Sequence, residues 1–151
     1  MAARTGKAYI EGLQDGRRIY VNGELVRDVT QYPGYRGIAN ELAKHYDRHH
    51  EAGLAEKLTY ASPKDEAPVS NSFLYVNDSN TLQQRIQGER LRCEHTYGLM
   101  GRLPDFMNAW VTDMARVPHV LGAKDPQFAQ NAVDYYEYCR DQDICMTHTL
   151  L

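Results

Sequence analysis

"GLMGRLPDFMNAW", residues 98–110, separates two helical patterns and so decides where the chain is cut into elements. Gly98 and Gly101 bracket the end of the helix before it, and Pro104 stands at a first helical position with Asp105 beside it. From there Phe106, Trp110 and Met114 recur every four residues, which predicts an inward apolar stripe on a helix starting at Pro104. Arg102 is the odd member. A helix N-terminus already carries partial positive charge, so a cation there is locally unfavourable unless an anion is held by both. The two glycines and the helix start form a pocket for such a negative group. The ordinary alternative is a surface arginine pairing with Asp105 or Glu94.

Upstream, Asp78 or Ser79 caps a long helix whose stripe is Leu82, Ile86, Cys93 and Tyr97. "TYASPKDEAPVSNS" (59–72) holds two prolines, charges and small polar residues and reads as a surface loop, followed by "FLYV" (73–76) as an extended apolar run. Residues 36 to about 52 read as a helix with Ile38, Leu42 and Tyr46 on one face and Ala39 and Ala43 beside them. "YPGY" (32–35) is a turn. Around residues 18–27 a small β-hairpin is predicted, because Asn22-Gly23 is a two-residue turn signal between Ile19-Tyr20-Val21 and Leu25-Val26. Thr5 caps a short first helix with Tyr9, Ile10 and Leu13 inward and Gly16 at its end. Downstream, Asp125-Pro126 opens a helix carrying Phe128, Ala132, Val133 and Tyr136. The expected fold is mainly α, one helical domain over 1–151.

Composition bounds the function. The 151 residues suffice for one core, and 42% hydrophobic with 25% charged residues is ordinary for a globular chain. A formal charge of -3 argues against a protein built to coat nucleic acid or an anionic membrane. No apolar run is long enough to cross a bilayer, and "MAARTGKAYIEG" lacks a signal-peptide core, so a cytoplasmic location is expected. Cys93, Cys139 and Cys145 form no C-x-x-C pair and read as reduced thiols. Eleven tyrosines against three phenylalanines suit half-polar interiors and interfaces. The ending "DQDICMTHTLL" (141–151) has no polar tail and reads as a cut through a longer protein.

Several residues invite a chemical reading. His45 and His49 are four apart, as in zinc helices, but no glutamate follows the first and Arg48 would oppose a cation. They are expected on a solvated helical face. Cys93 lies on the apolar stripe and reads as core. Asp134, Glu137, Asp141 and Asp143 read as a solvated acidic face, so no metal site is expected. His148, between two threonines, is either a hydrogen-bonded histidine of a loop or strand, or a functional one.

Three separated motifs, "TGKAYIEGLQDGRRIYVNGELVRDVTQYPGYRG" (5–37), "MGRLPDFMN" (100–108) and "DQDICMTHTLL" (141–151), closely resemble the N-terminal domain of the 4-hydroxyphenylacetate 3-monooxygenase oxygenase family. The resemblance implies the helical N-terminal domain of an acyl-CoA dehydrogenase-like flavin monooxygenase, whose central β-barrel and C-terminal helical bundle are absent from this chain. It further implies a two-component enzyme: an NADH-dependent flavin reductase supplies reduced FAD, and the oxygenase hydroxylates a phenol ortho to its hydroxyl. By the same resemblance Arg102 and His148 contact the phenol oxygen as substrate-binding and catalytic residues. His148 also meets the cofactor, and Phe106 lines the substrate cavity. Phe106 departs from the tyrosine often found there, which leaves the phenol open between 4-hydroxyphenylacetate and others such as a chlorophenol. A homo-oligomer is expected of the full-length protein, and the chain alone is expected to be inactive. Two other readings are a non-catalytic helical module and a 4-hydroxybutyryl-CoA dehydratase-like lyase. The second is disfavoured because "HTYGLMGRLPDF" (95–106) has no cysteine to hold an iron–sulfur cluster.

Overall fold

A computed structural model of the chain describes residues 3–99 and 104–148, the side chain of Pro104 excepted. Helix α1 spans Gly6–Gly12 and is capped by Thr5, whose side chain accepts from the Ala8 N–H. It ends at Leu13, three residues before Gly16. The predicted hairpin follows as β1 (Ile19–Val21) and β2 (Glu24–Val26), paired antiparallel with Ile19 opposite Val26. Asn22 and Gly23 both take positive φ, 52° and 86°, as a tight mirror-image turn demands. Helix α2 covers Arg36–Asp47 and passes into a 3-10 turn, Arg48–His50.

The stretch 59–72 is not a loop throughout. After the short helix α3 (Ala55–Leu58), β3 (Thr59–Ala61) and β4 (Pro68–Ser70) form a second antiparallel hairpin with Tyr60 opposite Val69. The prolines are misleading because neither interrupts the pairing. Pro63 lies in the connection, and Pro68 starts β4, where a missing N–H costs no ladder bond. The Ser62 N–H donates to the Ala67 carbonyl at 2.8 Å and closes the connection. The "FLYV" run is not a strand either: Phe73 ends a 3-10 turn, Asn71–Phe73.

Helix α4 (Ser79–Thr96) begins with a reciprocal cap between Asp78 and Thr81 and ends at Tyr97 in the left-handed conformation. Helices α5 (Pro104–Arg116), α6 (Pro118–Leu121) and α7 (Pro126–Gln142) complete the order, α7 capped by Asp125. The core lies where α5, α7 and the 3-10 turn meet: Phe73, Val111, Ala115, Tyr136 and Cys139, with Tyr60, Tyr75, Ile144 and Met146 packed against it. Tyr136 donates to the Phe73 carbonyl at 2.8 Å, so a buried ring keeps its hydroxyl satisfied. Cys139, not Cys93, is the core cysteine; Cys93 is half-buried.

The helical periods are as predicted, but several faces are turned the other way. On α5 Phe106, Trp110 and Met114 are exposed, and the interior side carries Asp105, Asn108 and Thr112 beside Met107, Val111 and Ala115. On α4 Leu82, Ile86 and Tyr97 face outward, and the buried positions are Gly88 and Arg92. Ile38 and Phe128 are also exposed. Amphipathic reading assigns the most apolar face to the core, but an interior built on hydrogen bonds inverts that assignment. Among the described residues no helix is long and apolar enough to cross a membrane.

Gly88 shows how close this interior is. A Cβ there would sit 2.6 Å from the Asn71 side-chain amide and 2.9 Å from Arg92 Nη1. Asn71 cannot swing away, since it donates to the Lys57 and Gln84 carbonyls at 2.8 and 3.2 Å. Gly88→Ala should therefore destabilise the domain by about 1–3 kcal/mol, although alanine is intrinsically better in a helix by about 1 kcal/mol. Gly12→Ala meets no neighbour within 4 Å and should be neutral or mildly stabilising. Urea unfolding of the two variants beside the parent checks the contrast.

Candidate functional site

His148 is positioned from both ends of the chain. Helix α7 stops at Asp143, which takes φ 46° and turns the chain back, and the Ile144 N–H donates to the Cys139 carbonyl at 3.1 Å. The Asp143 carboxylate accepts the Arg4 N–H at 2.9 Å, and an Arg4 guanidinium N–H donates to the Gln142 carbonyl. Asp141 is held by Arg140 and Lys64 at 2.8 and 3.0 Å. Asp141 and Asp143 are thus buried and structural, contrary to the solvated face expected of them; Asp134 and Glu137 are exposed as predicted. Beyond the turn, Ile144 and Met146 pack on the core, and the half-buried His148 lies against α5.

There its ring stands 5.4 Å from the Phe106 ring, tilted by 40°, and 6.0 Å from the Trp110 ring, edge to face. Phe106 and Trp110 are 42% and 50% exposed, so their faces are open to a ligand. Residues 42 and 38 positions apart in sequence (148 − 106 and 148 − 110) are therefore neighbours. Arg102 lies outside the described residues. The arrangement offers two flat apolar surfaces with an imidazole beside them, a combination suited to an aromatic ring that carries one polar group. A cleft of about 980 Å³ elsewhere, between α1 and residues 142–147, is lined by Arg4, Tyr9, Arg17 and Cys145 and contains neither Phe106 nor His148.

A second polar centre is not legible in the sequence. His45 and His49 are not solvated: they are 4% and 3% exposed, ring to ring at 5.4 Å. His45 Nε2 is 3.8 Å from the carboxylate of Asp105, which is itself buried. Arg92, buried on α4, donates through Nη2 to Asn71 Oδ1 at 2.7 Å, Ser70 Oγ at 3.0 Å and the Leu58 carbonyl at 3.5 Å. Ser70 and Ser72 hydroxyls meet at 2.8 Å, and Asn108 Nδ2 donates to Ser72 Oγ at 2.9 Å. The one available signal is the polar repeat Asp105, Asn108 and Thr112 on α5, at helical spacing yet beside apolar neighbours. Among the described residues no group of three or more His, Cys, Asp or Glu is arranged to hold a metal ion.

The electrostatics of this centre follow from burial. Both imidazoles are pushed below their ordinary value, His49 to about 3, first by desolvation and then by nearby cations including Arg92. Apart from a loose approach to the Tyr46 carbonyl, neither His49 ring nitrogen has a hydrogen-bond partner. Asp105 moves the other way, to about 7, through burial, with Arg92 opposing and Glu89 adding to the rise.

The sign for stability is fixed by which state holds the proton. The unfolded chain protonates His49 near its ordinary pKa of about 6.5, whereas the folded chain resists until about pH 3. Stability is therefore lost as pH falls through that window. His49→Leu should remove one such proton, lessening the loss by about 1.4 kcal/mol per pH unit. At neutral pH it should be neutral or stabilising, because an unsatisfied buried polar ring is replaced by an apolar one. Denaturant midpoints of parent and variant across the acid range test this.

Residues 5–151 match the family model described as "4-hydroxyphenylacetate 3-hydroxylase N terminal". The chain is 39% identical over 152 aligned positions to the 4-hydroxyphenylacetate 3-monooxygenase oxygenase component of Geobacillus sp. (strain PA-9), covering 100% of this chain and 30% of that protein. It is 38% identical to the same-named protein of Thermus thermophilus, over 98% of this chain and 30% of the relative. The crystal structure of an oxygenase component (HpaB) complexed with FAD and 4-hydroxyphenylacetate superposes with a TM-score of 0.89 at 38% identity, over 98% of this chain and 30% of that one. The chain thus spans about a third of the length of the relatives it matches.

Proposed function

The chain belongs to the 4-hydroxyphenylacetate 3-hydroxylase N-terminal family, and from that premise we propose that it forms the substrate-binding part of a two-component, reduced-FAD-dependent aromatic monooxygenase. The proposed reaction is ortho-hydroxylation of a phenol such as 4-hydroxyphenylacetate. The observation that carries the reading is the His148 imidazole beside the open faces of Phe106 and Trp110. A phenol ring fits against those faces with its hydroxyl toward the imidazole.

His148 can accept or share the phenol proton at a ring nitrogen. In this reading Arg102, in the G-R-x-P-D motif two residues before α5, places a fixed cation near the phenol oxygen and favours its phenolate form, the better nucleophile toward electrophilic oxygen. Phe106 and Trp110 orient the ring and exclude water from it. The flavin, when bound, supplies the oxygen-activating chemistry; of the described residues His148, beside Trp110, is the one we assign to it. A separate NADH-dependent reductase is the implied partner, and NADH supply sets the reaction in the cytoplasm. The exposed apolar sides of α4, α5 and α7 accord with a full-length homo-oligomer in which they are covered.

Phe106 bears on the substrate. Its ring offers contact but no hydroxyl, so a substrate whose recognition needs one more hydrogen bond is less well held.

The test uses the full-length oxygenase with purified reductase, FAD and NADH, and measures catechol formation from a panel of phenols. Arg102→Ala should cost about 3–4 kcal/mol of transition-state stabilisation, and His148→Ala roughly 10²-fold in rate. Phe106→Tyr should raise turnover of 4-hydroxyphenylacetate relative to other phenols. Unchanged rates in both Arg102→Ala and His148→Ala would remove the assignment.

A further inference from the structure

We propose that Asp105 is a positioning residue whose carboxyl, sharing one proton with Glu89, holds the first turn of α5 and with it the Phe106–Trp110–His148 face. The inference rests on the geometry of α5 and stands whether or not the ligand is a phenol.

Asp105 and Phe106 are consecutive and point to opposite sides of the helix, one buried, the other on the open face. Whatever moves the Asp105 side chain therefore moves the wall of the candidate site. The carboxyl is 1% exposed, and neither of its oxygens finds a donor among the described side chains. The group it does meet is another carboxyl, that of Glu89 on α4, whose Oε1 is equally without a donor. Two carboxyls in contact, one buried and one half-buried, are held together by a proton and driven apart without one.

Among the described residues the surrounding groups leave no other source of balance. From α2, His45 approaches at 3.8 Å with His49 behind it, and burial keeps both neutral. From α4, besides Glu89, Arg92 Nη1 is 3.6 Å from Glu89 Oε1 and makes no hydrogen bond, while Nη2 donates to Ser70, Asn71 and Leu58. The 3-10 turn presents the neutral Asn71 and Ser72, and α5 itself presents Asn108 one turn on. Among the described residues one cation thus faces two carboxyls, and the proton supplies what is missing. Burial and the Glu89 neighbour raise Asp105 to about 7, within reach of physiological pH. Glu89 provides the exchange route: its side chain is 24% exposed and borders a surface groove with Arg85 and Asp113.

Loss of the proton should then loosen the first turn of α5 against α4 and shift Phe106 and Trp110 relative to His148. Trp110 is the single tryptophan of the chain and reports on this directly, since its ring meets His148. The experiment follows selectively excited tryptophan fluorescence of the chain from about pH 5 to about pH 9, for the parent and for Asp105→Asn, Glu89→Gln and His148→Asn. The expected result is a reversible transition centred near pH 7 in the parent, retained in His148→Asn and abolished in Asp105→Asn, which keeps the low-pH spectrum. Glu89→Gln should move the midpoint down by about one pH unit or more, because a neutral donor replaces a competing carboxyl. A parent without the transition, or an Asp105→Asn variant that keeps it, overturns the proposal. Should Asp105→Asn fail to fold by circular dichroism, an unmoved midpoint in Glu89→Gln overturns it on its own.

Discussion

One buried cation, that of Arg92, joins the elements beneath the candidate site. Arg92 is almost wholly removed from water, and its guanidinium reaches α3 through the Leu58 carbonyl, the end of β4 through Ser70 and the 3-10 turn through Asn71. From Ser70 the hydrogen bonds run through Ser72 to Asn108, and so into α5. Burying such a charge is unfavourable unless its donors are met, and three short, separate segments converge on Nη2, while Nη1 lies 3.6 Å from Glu89 Oε1. The second hairpin exists in this setting, because Thr59–Ala61 and Pro68–Ser70 are fixed at the two ends of that convergence.

The polar interior explains the exposed apolar helices. With Arg92, Asp105, Asn108 and Thr112 turned inward, the apolar flanks of α4 and α5 have nowhere to go but outward. Exposed aromatic and aliphatic surface on this scale marks an interaction or ligand face. On α5 that face is also the one His148 approaches. A helix with a hydrogen-bonded inner side is held in rotation and register by directional contacts, whereas an apolar inner side can slide or rotate at smaller cost. Holding Phe106 and Trp110 at fixed angles to a ring at the far end of the chain calls for the first kind of helix.

Local chemistry is legible in the sequence, and orientation is not. Thr5, Asp78 and Asp125-Pro126 cap helices where expected, and Asn22-Gly23 turns the first hairpin, because each signal acts within a few residues. The facing of α4 and α5 depends on partners far away in sequence, above all on Arg92, whose burial nothing nearby announces. His45 and His49 look solvated on the same ground: a helix with Arg48 and Asp47 between its histidines reads as polar until Asp105 of α5 is brought against His45. The second hairpin is hidden by Pro63 and Pro68, whose positions in the pairing only the register discloses. At the candidate site the motifs single out His148 and Phe106 separately. Their contact needs the left-handed turn at Asp143, and an aspartate there gives no sign of it.

That turn also shows why the site is tied to the chain's beginning. Asp143 is an unusual residue for a positive φ, and the conformation costs energy unless its surroundings over-determine it. The Arg4 N–H does so by donating to the carboxylate, and Arg4 in turn lies over the Tyr46 ring at 5.6 Å. Burial raises the Asp143 carboxyl above the usual carboxylate range, and the Arg4 N–H and guanidinium oppose the rise. The Ala3 N–H donates to the Pro68 carbonyl at 2.6 Å and fixes the same segment to the second hairpin. The path of residues 144–148 across the core, and hence the placing of His148, is thereby set by contacts about 140 positions away, in the few residues before α1.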